Sequence, residues 1–129
     1  MPWQEISIIE ARKQAHKAIL RAAIDWPRLS VAGFDYGVRA GDDRYALNPE
    51  RVAVAMLFIS MACKPMRKPA YSSYSLKHCA ERWGKAVGLA PYIANGELIA
   101  AANYLGCQIR QRPTGPNADI GCKPLSGSN

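Results

Sequence analysis

Apolar residues recur at three- and four-residue spacing in several segments of the chain, and this spacing predicts helices. From about Glu5 to Asp25 an apolar stripe alternates with a basic outer surface, and Pro27 ends the pattern. A second segment starts with Asn48-Pro49-Glu50, which is a helix-start signal, and it is apolar almost all round from Val52 to Cys63. An all-round apolar pattern is typical of a buried helix, so we expect this one at the centre of the core.

Two further helices are predicted in the second half of the chain. Ser72 or Ser73 caps a helix that Gly88 ends, and Asn95 caps a helix that Gly106 ends. The outward positions expected on the last helix are Glu97, Ala100, Ala101, Asn103 and Tyr104.

Beyond the last helix the apolar period changes to two, which predicts a β-hairpin. The turn falls at residues 113–117, and a register that places Ile109 opposite Ile120 puts both side chains on one face. The same register directs Arg110 and Arg112 to the other face, toward solvent, where their guanidinium groups are able to meet phosphate.

The predicted fold class is α+β and mainly helical, with four helices followed by a C-terminal β-hairpin. We expect one globular domain over residues 1–123 and a disordered tail at 124–129. A glycine-rich, irregular connection is expected from Arg28 to Arg44. Since helix, helix and hairpin follow one another in this order, the second half is winged-helix-like and resembles a winged helix-turn-helix module.

The balance of charge favours a nucleic-acid partner. The 129 residues carry a formal charge of +7, which attracts phosphate polyanions, although a surplus of this size also serves solubility. We expect DNA rather than RNA as the partner, with the last helix approaching the major groove and the hairpin touching the backbone. The predicted contact residues are Lys64, Arg67, Lys68, Lys77, Arg82, Asn103, Arg110 and Arg112.

Cofactor and metal chemistry have little support in the sequence. Cys63, Cys79, Cys107 and Cys122 are widely spaced and include no C-x-x-C pair, so we expect four thiols that act as small core residues rather than a metal site. No phosphate-binding glycine loop is present, and no cofactor is expected.

The sequence contains isolated candidates for catalytic residues but no complete catalytic set, so a non-enzymatic role is favoured. His16 and His78 are candidates for the acid and base of a metal-free ribonuclease. Asp35, Asp42 and Asp43 are candidates for a divalent metal, but acids beside glycine are common in turns.

The chain start lacks the features of a secretory signal, and the run from Val52 to Ala62 is too short to cross a bilayer. We therefore expect a cytoplasmic protein without a membrane partner.

Three short motifs carry a resemblance to known proteins. Residues 73–78 read S-Y-S-L-K-H, residues 92–96 read Y-I-A-N-G and residues 115–118 read G-P-N-A. This series resembles a family of small proteins of bacterial mobile elements, found on plasmids, prophages and integrative elements, with similar S-Y-x-L-K-H, Y-[IV]-x-N-G and G-P-N-A motifs. The resemblance implies this habitat more than a mechanism, and small proteins of this habitat include DNA-binding regulators. Together with the basic charge, we expect a nucleic-acid-binding accessory or regulatory protein.

An alternative in the same habitat is a protein-interaction module, such as an inhibitor of a host defence complex of the anti-CRISPR or anti-restriction type. It would bind a host protein through the alanine-rich last helix and the Phe34–Tyr36 loop. The sequence does not decide whether the protein forms a homodimer through the last helix or the outer face of the first. It also does not decide whether His78, Tyr92 and Asn95 converge into a cleft.

Overall fold

The fold combines four helices with short antiparallel strands in a computed structural model that describes residues 6–34, 46–89 and 92–125. The helices are α1 (Ile8–Asp25), α2 (Pro49–Ala62), α3 (Ser73–Ala86) and α4 (Asn95–Tyr104). The strands are β1 (Leu29–Ser30), β2 (Gly33–Phe34), β3 (Cys63–Pro65), β4 (Tyr71–Ser72), β5 (Ile109–Gln111), β6 (Ala118–Ile120) and β7 (Cys122–Pro124). The fold class is therefore α+β, as the sequence predicts. None of the described helices is long and apolar enough to cross a bilayer.

Helices α2 and α4 form the centre of the core. Every residue of α2 from Val52 to Ser60 is buried, which confirms the prediction from its all-round apolar pattern. Helix α4 is also buried from Asn95 to Ala102, and α1, α2 and α3 all pack against it. The expectation that Glu97, Ala100 and Ala101 face outward is therefore wrong.

Alanine on the facing helix surfaces explains this difference. Helix α1 turns Ala11, Ala15, Ala18 and Ala22 toward the core, and α4 presents residues 100–102 to its neighbours. Small side chains allow two helix axes to approach closely, so α1 covers the alanine-rich surface of α4. The composition of that surface is equally compatible with exposure to solvent and with packing. The sequence pattern of α4 does not distinguish between these two environments.

The strands near the C-terminus belong to two small sheets. In one sheet β6 lies between β4 and β5, with Ile109 opposite Ile120 in the β5–β6 pair. Strand β7 leaves this sheet after Gly121 and pairs with β3. The N–H of Leu125 donates to the carbonyl of Ala62 at 2.8 Å, so ordered pairing continues past the expected domain boundary at residue 123. Residues 126–129 lie outside the described residues.

The helix-start signals hold at α2 and α3. Asn48 Oδ1 accepts the N–H of Arg51 at 3.1 Å, and Ser72 Oγ accepts the N–H of Tyr74 at 3.2 Å. At α4, however, the N-cap is Ala94, and Asn95 is the first helical residue. The prediction of Asn95 as the cap is therefore wrong.

The side chain of Asn95 is used in a contact between distant parts of the chain. Its Nδ2 donates to the carbonyl oxygens of Ala32 and Pro116, each at 3.2 Å. The neighbouring Gly96 lies so close to the β1–β2 hairpin that a Cβ atom would overlap with the carbonyl oxygen of Ser30. This junction accounts for the N-G pair by tertiary packing rather than by capping.

The predicted irregular connection begins with the β1–β2 hairpin, which the sequence did not predict. The rest of it, residues 35–44 with Asp35, Tyr36, Asp42 and Asp43, lies outside the described residues.

Candidate nucleic-acid interface

Two arginines share one carboxylate on the outer face of the β5–β6 pair. Arg112 Nη2 donates to Asp119 Oδ1 at 2.8 Å, and Arg110 Nη2 donates to Asp119 Oδ2 at 3.0 Å. The side chains of Arg110 and Arg112 are 65% and 40% exposed, whereas that of Asp119 is 15% exposed. The hydrogen bonds from Arg112 and Arg110 hold the pKa of Asp119 below its ordinary value. Both guanidinium groups therefore reach solvent, and the single carboxylate of Asp119 compensates half of their combined positive charge.

Two lysines lie directly opposite each other where β3 pairs with β7. Lys64 is in register with Lys123, and both side chains are exposed. Like charges that face each other across a strand pair are destabilising. Among the described residues, no carboxylate forms an ion pair with either lysine. The positive charges of Lys64 and Lys123 are therefore not neutralised by any carboxylate among the described residues.

The linker between β3 and β4 lies along the end of β6. The N–H of Met66 donates to the carbonyl oxygen of Gly121 at 2.9 Å, and a second backbone bond, at 3.2 Å, joins Ala70 to β6. Arg67 and Lys68 lie between these two contacts and are exposed. These cations lie on two small sheets, directly after β5 and on the linker from β3 to β4. We name this set the basic strand surface: Lys64, Arg67, Lys68, Arg110, Arg112 and Lys123.

The two predicted contact residues on α3 have different environments. Arg82 is exposed, and its Nη2 lies 3.4 Å from Cys79 Sγ. Lys77 is only 9% exposed, and its Nζ donates to Glu81 Oε2 at 3.3 Å. Its ammonium group also lies 5.0 Å from the ring centre of Tyr92. A carboxylate and a π-face offset the cost of burying this charge. Lys77 is therefore buried, whereas its residue type predicts a side chain exposed to solvent.

Asn103 lies where the end of α4 meets the end of α1. Its Oδ1 accepts the indole N–H of Trp26 at 3.0 Å, and its Nδ2 donates to Asp25 Oδ2 at 2.9 Å. The amide therefore joins α1 to α4 through both of its polar atoms, in an orientation that does not present it as a reader of base edges.

Glu81 is the centre of a polar cluster that contains two of the three residues considered for a cleft. Its Oε1 lies 3.0 Å from His78 Nδ1, and its Oε2 accepts the N–H of Ile93, next to Tyr92, at 3.1 Å. His78 and Tyr92 therefore lie around one carboxylate. Asn95 is not part of this group, because its side chain bonds to the β1–β2 connection and to Pro116.

Two residues that the sequence does not predict as contacts, Tyr74 and Arg51, lie around the Glu81 cluster. The Tyr74 ring packs edge-to-face on the His78 ring, with centroids 4.5 Å apart. The Arg51 guanidinium carbon lies 4.9 Å from the ring centre of Tyr92. The four-residue spacing of Tyr74 and His78 on one helix is visible in the sequence. Nothing in the sequence links Arg51 to Tyr92, because that contact depends on how the helices pack.

The four cysteines form no disulfide and all are buried, in agreement with their predicted role as small core residues. Hydrogen bonding to Cys122, together with burial, raises the pKa of the Cys107 thiol. Within residues 6–34, 46–89 and 92–125, no group of three or more His, Cys, Asp or Glu side chains is arranged to hold a metal ion.

No family model, curated protein or solved structure matches this chain with significant similarity.

Proposed function

We propose that this chain is a non-catalytic, nucleic-acid-binding accessory or regulatory protein of a mobile genetic element, and that the basic strand surface binds the phosphate backbone. The observation that carries the proposal is the register of Lys64 and Lys123. Two cations held opposite each other gain most from a polyanion that binds both, because it removes their mutual repulsion and releases condensed counterions.

The remaining cations of this surface extend the same positive region. Arg110 and Arg112 keep free donors beyond those used by Asp119, because each guanidinium group has five N–H donors. Arg67 and Lys68 are exposed on the linker between β3 and β4. Contacts of this kind fix a protein on the backbone without reading sequence.

The order of elements supports a winged-helix-like arrangement. Helices α3 and α4 follow β4, and β5 and β6 follow them, with β4 paired to β6. In this proposal β5, β6 and their turn act as the wing. The burial of α4 means that contact is made through the strands and α3, and not by α4 in the major groove.

The assignment to a mobile element depends on the motif resemblance. In this fold the N-G and G-P-N-A motifs meet at one junction, where Asn95 Nδ2 donates to Pro116 and to Asn117 Oδ1. The S-Y-x-L-K-H motif supplies Ser73, whose Oγ accepts the N–H of Ala118 at 3.0 Å. The motifs therefore contact one another, which supports a shared fold as the basis of the resemblance.

The test is fluorescence anisotropy of labelled oligonucleotides at about 50 and 200 mM salt. The double variant Lys64→Ala/Lys123→Ala is compared with Lys13→Ala/Lys17→Ala, which removes two exposed cations from α1. We expect the first variant to bind more weakly, with a log–log salt slope reduced by about 2, since each phosphate contact contributes about 0.9 on duplex DNA. We expect the second to bind as the wild type does.

Two results would contradict this proposal. Equal losses in the two double variants would show that total charge matters and the strand surface does not. An absence of binding at the lower salt concentration would assign the net charge to solubility.

A second candidate function, a protein-interaction module, has its own observation on α1. Ile9, Leu20 and Ile24 are 64%, 65% and 74% exposed on this helix. Exposed aliphatic side chains on one helix are a common feature of protein contacts. Because α4 is buried, the exposed face of α1 is the proposed contact surface both for this module and for a homodimer.

The two candidates are separated by a pull-down from host lysate after nuclease treatment. A partner retained by the wild type and lost by Leu20→Ser/Ile24→Ser would favour the interaction module. Retention by the serine variant would exclude this face of α1.

A further inference from the structure

The aromatic residues of the described chain divide sharply between core and surface. Phe34 and Phe58 are buried, and four others pack against the core: Trp26, Tyr71, Trp83 and Tyr104. Tyr74 and Tyr92 are instead 54% and 50% exposed. Both lie beside the Glu81 cluster, so the two described aromatic rings that do not pack against the core share one region.

Both rings are held in place by their neighbours. Tyr74 packs on His78 with an interplanar angle of 82°, and Glu81 fixes the imidazole through its Nδ1. Tyr92 lies next to Ile93, whose N–H donates to the same carboxylate. An aromatic ring that is already ordered loses little entropy when a ligand stacks on it.

Cations accompany the rings on this surface. The Arg51 guanidinium group lies over the Tyr92 ring, 4.9 Å from its centre, and the ammonium group of the buried Lys77 lies 5.0 Å from the same centre. Along α3, the exposed residues Arg82 and Lys85 continue the helix face that begins with Tyr74. Aromatic rings interleaved with cations are the combination that binds bases by stacking and phosphates by charge.

This region is continuous with the basic strand surface. Ser72, the N-cap of α3, lies opposite Asp119 in the β4–β6 pair, and Asp119 holds Arg110 and Arg112. Tyr74 follows two residues later. From Tyr74 to Glu81 the helix advances about 10 Å, at about 1.5 Å for each residue. A flexible strand is able to follow this path from the arginines across α3 to Tyr92.

A rigid duplex suits this surface less well. The helix expected to enter the major groove, α4, is buried, and α3 is flanked by the β4–β6 strands at its start and by Tyr92 beside Glu81. Stacking also requires bases whose faces are free, which a paired duplex does not offer.

We propose that the protein binds single-stranded nucleic acid, with bases stacked on Tyr74 and Tyr92 and the backbone on the basic strand surface. This inference rests on the proposed function and adds the strand form and the stacking residues. DNA and RNA strands share the chemistry it requires, and the experiment compares them.

The test measures anisotropy with a labelled single strand of DNA, the same sequence as RNA, and the DNA duplex. We expect the wild type to prefer a single strand. Tyr74→Ala and Tyr92→Ala should each weaken single-strand binding by about 5- to 150-fold and leave duplex binding unchanged, since this is the range for loss of one stacked base. Tyr74→Phe and Tyr92→Phe should retain binding, because the ring remains.

The matched control is Val87→Ala, which removes a side chain of similar exposure, 51%, from the end of α3. It should bind as the wild type does, and thermal unfolding of each variant verifies that it is folded. Salt-dependent binding that does not change in the tyrosine variants, or that favours the duplex, would overturn the stacking inference and leave the proposed function standing. Absence of binding to all three oligonucleotides would overturn both.

Discussion

Glu97 on α4 accepts a hydrogen bond at 2.7 Å from the backbone N–H of Asn48, the N-cap residue of α2. Its other carboxylate oxygen accepts the N–H of Ala94, the N-cap of α4, at 2.9 Å. One fully buried side chain therefore joins the starts of the two central helices. Tyr92 and Ile93 lie just before α4 in the chain. The contact of Glu97 therefore also positions the aromatic part of the candidate interface.

Replacement of Glu97 by alanine should destabilise the fold strongly. Glu97→Ala leaves two backbone N–H groups without their acceptor, and a buried unpaired group costs about 1–3 kcal/mol. We expect the free energy of unfolding in urea to fall by at least about 2 kcal/mol. The control is Glu50→Ala, which removes an exposed ion pair with Arg12 and should cost about 1 kcal/mol or less. Similar losses in the two variants would contradict the role of Glu97.

The stability difference between wild type and Glu97→Ala should depend on pH. Burial raises the pKa of Glu97, against the opposing effects of the hydrogen bonds from Ala94 and Asn48 and the charges of Arg51 and Lys77. The folded state therefore binds the Glu97 proton more tightly than the unfolded chain, and stability falls as pH rises from about 4.3 through the folded pKa. Urea unfolding should thus show a larger difference at about pH 4 than at pH 7. A difference that increases with pH would place the folded pKa below its ordinary value.

Gly96 should not tolerate a side chain. A Cβ there would overlap with the backbone of Ser30, which is unable to move without displacing the β1–β2 hairpin. We expect Gly96→Ala to lower the free energy of unfolding by about 3 kcal/mol. Gly106→Ala is the comparison, because its φ is +88° but the space around it is open, so only the backbone cost of about 1 kcal/mol applies. Equal thermal unfolding midpoints for the two variants would contradict this packing.

The helix order, the starts of α2 and α3 and the burial of α2 follow from local signals in the sequence. Capping residues and an all-round apolar run act within a few residues of where they stand, so they are readable without the rest of the chain. The environment of α4 was predicted wrongly, because alanine suits both solvent and close packing. The clustering of Arg51, Glu81 and Tyr92 is not predictable from the sequence either, because it depends on contacts between three separate segments.

Asp119 should limit the affinity of the candidate interface. Asp119→Asn removes the carboxylate shared by Arg110 and Arg112 and releases both for phosphate. We expect nucleic-acid affinity at about 50 mM salt to increase severalfold, with a steeper salt slope, because one more cation is available. Asn117→Asp, which adds a carboxylate at the nearby turn, should have the opposite effect. A weaker affinity in Asp119→Asn would show that the carboxylate positions the arginines and does not compete for them.

The four cysteine thiols should resist alkylation in the folded protein. All four are buried, and hydrogen bonding to Cys122 with burial raises the pKa of Cys107, so little of the reactive thiolate exists near neutral pH. We expect iodoacetamide to modify the native thiols at least about 100-fold more slowly than those of the urea-unfolded chain, as measured by mass spectrometry. Ser75→Cys supplies the control, because position 75 is exposed on α3 and its thiol should react fast in the folded protein. Native cysteines that react as fast as this added thiol would contradict the burial on which their role as core residues depends.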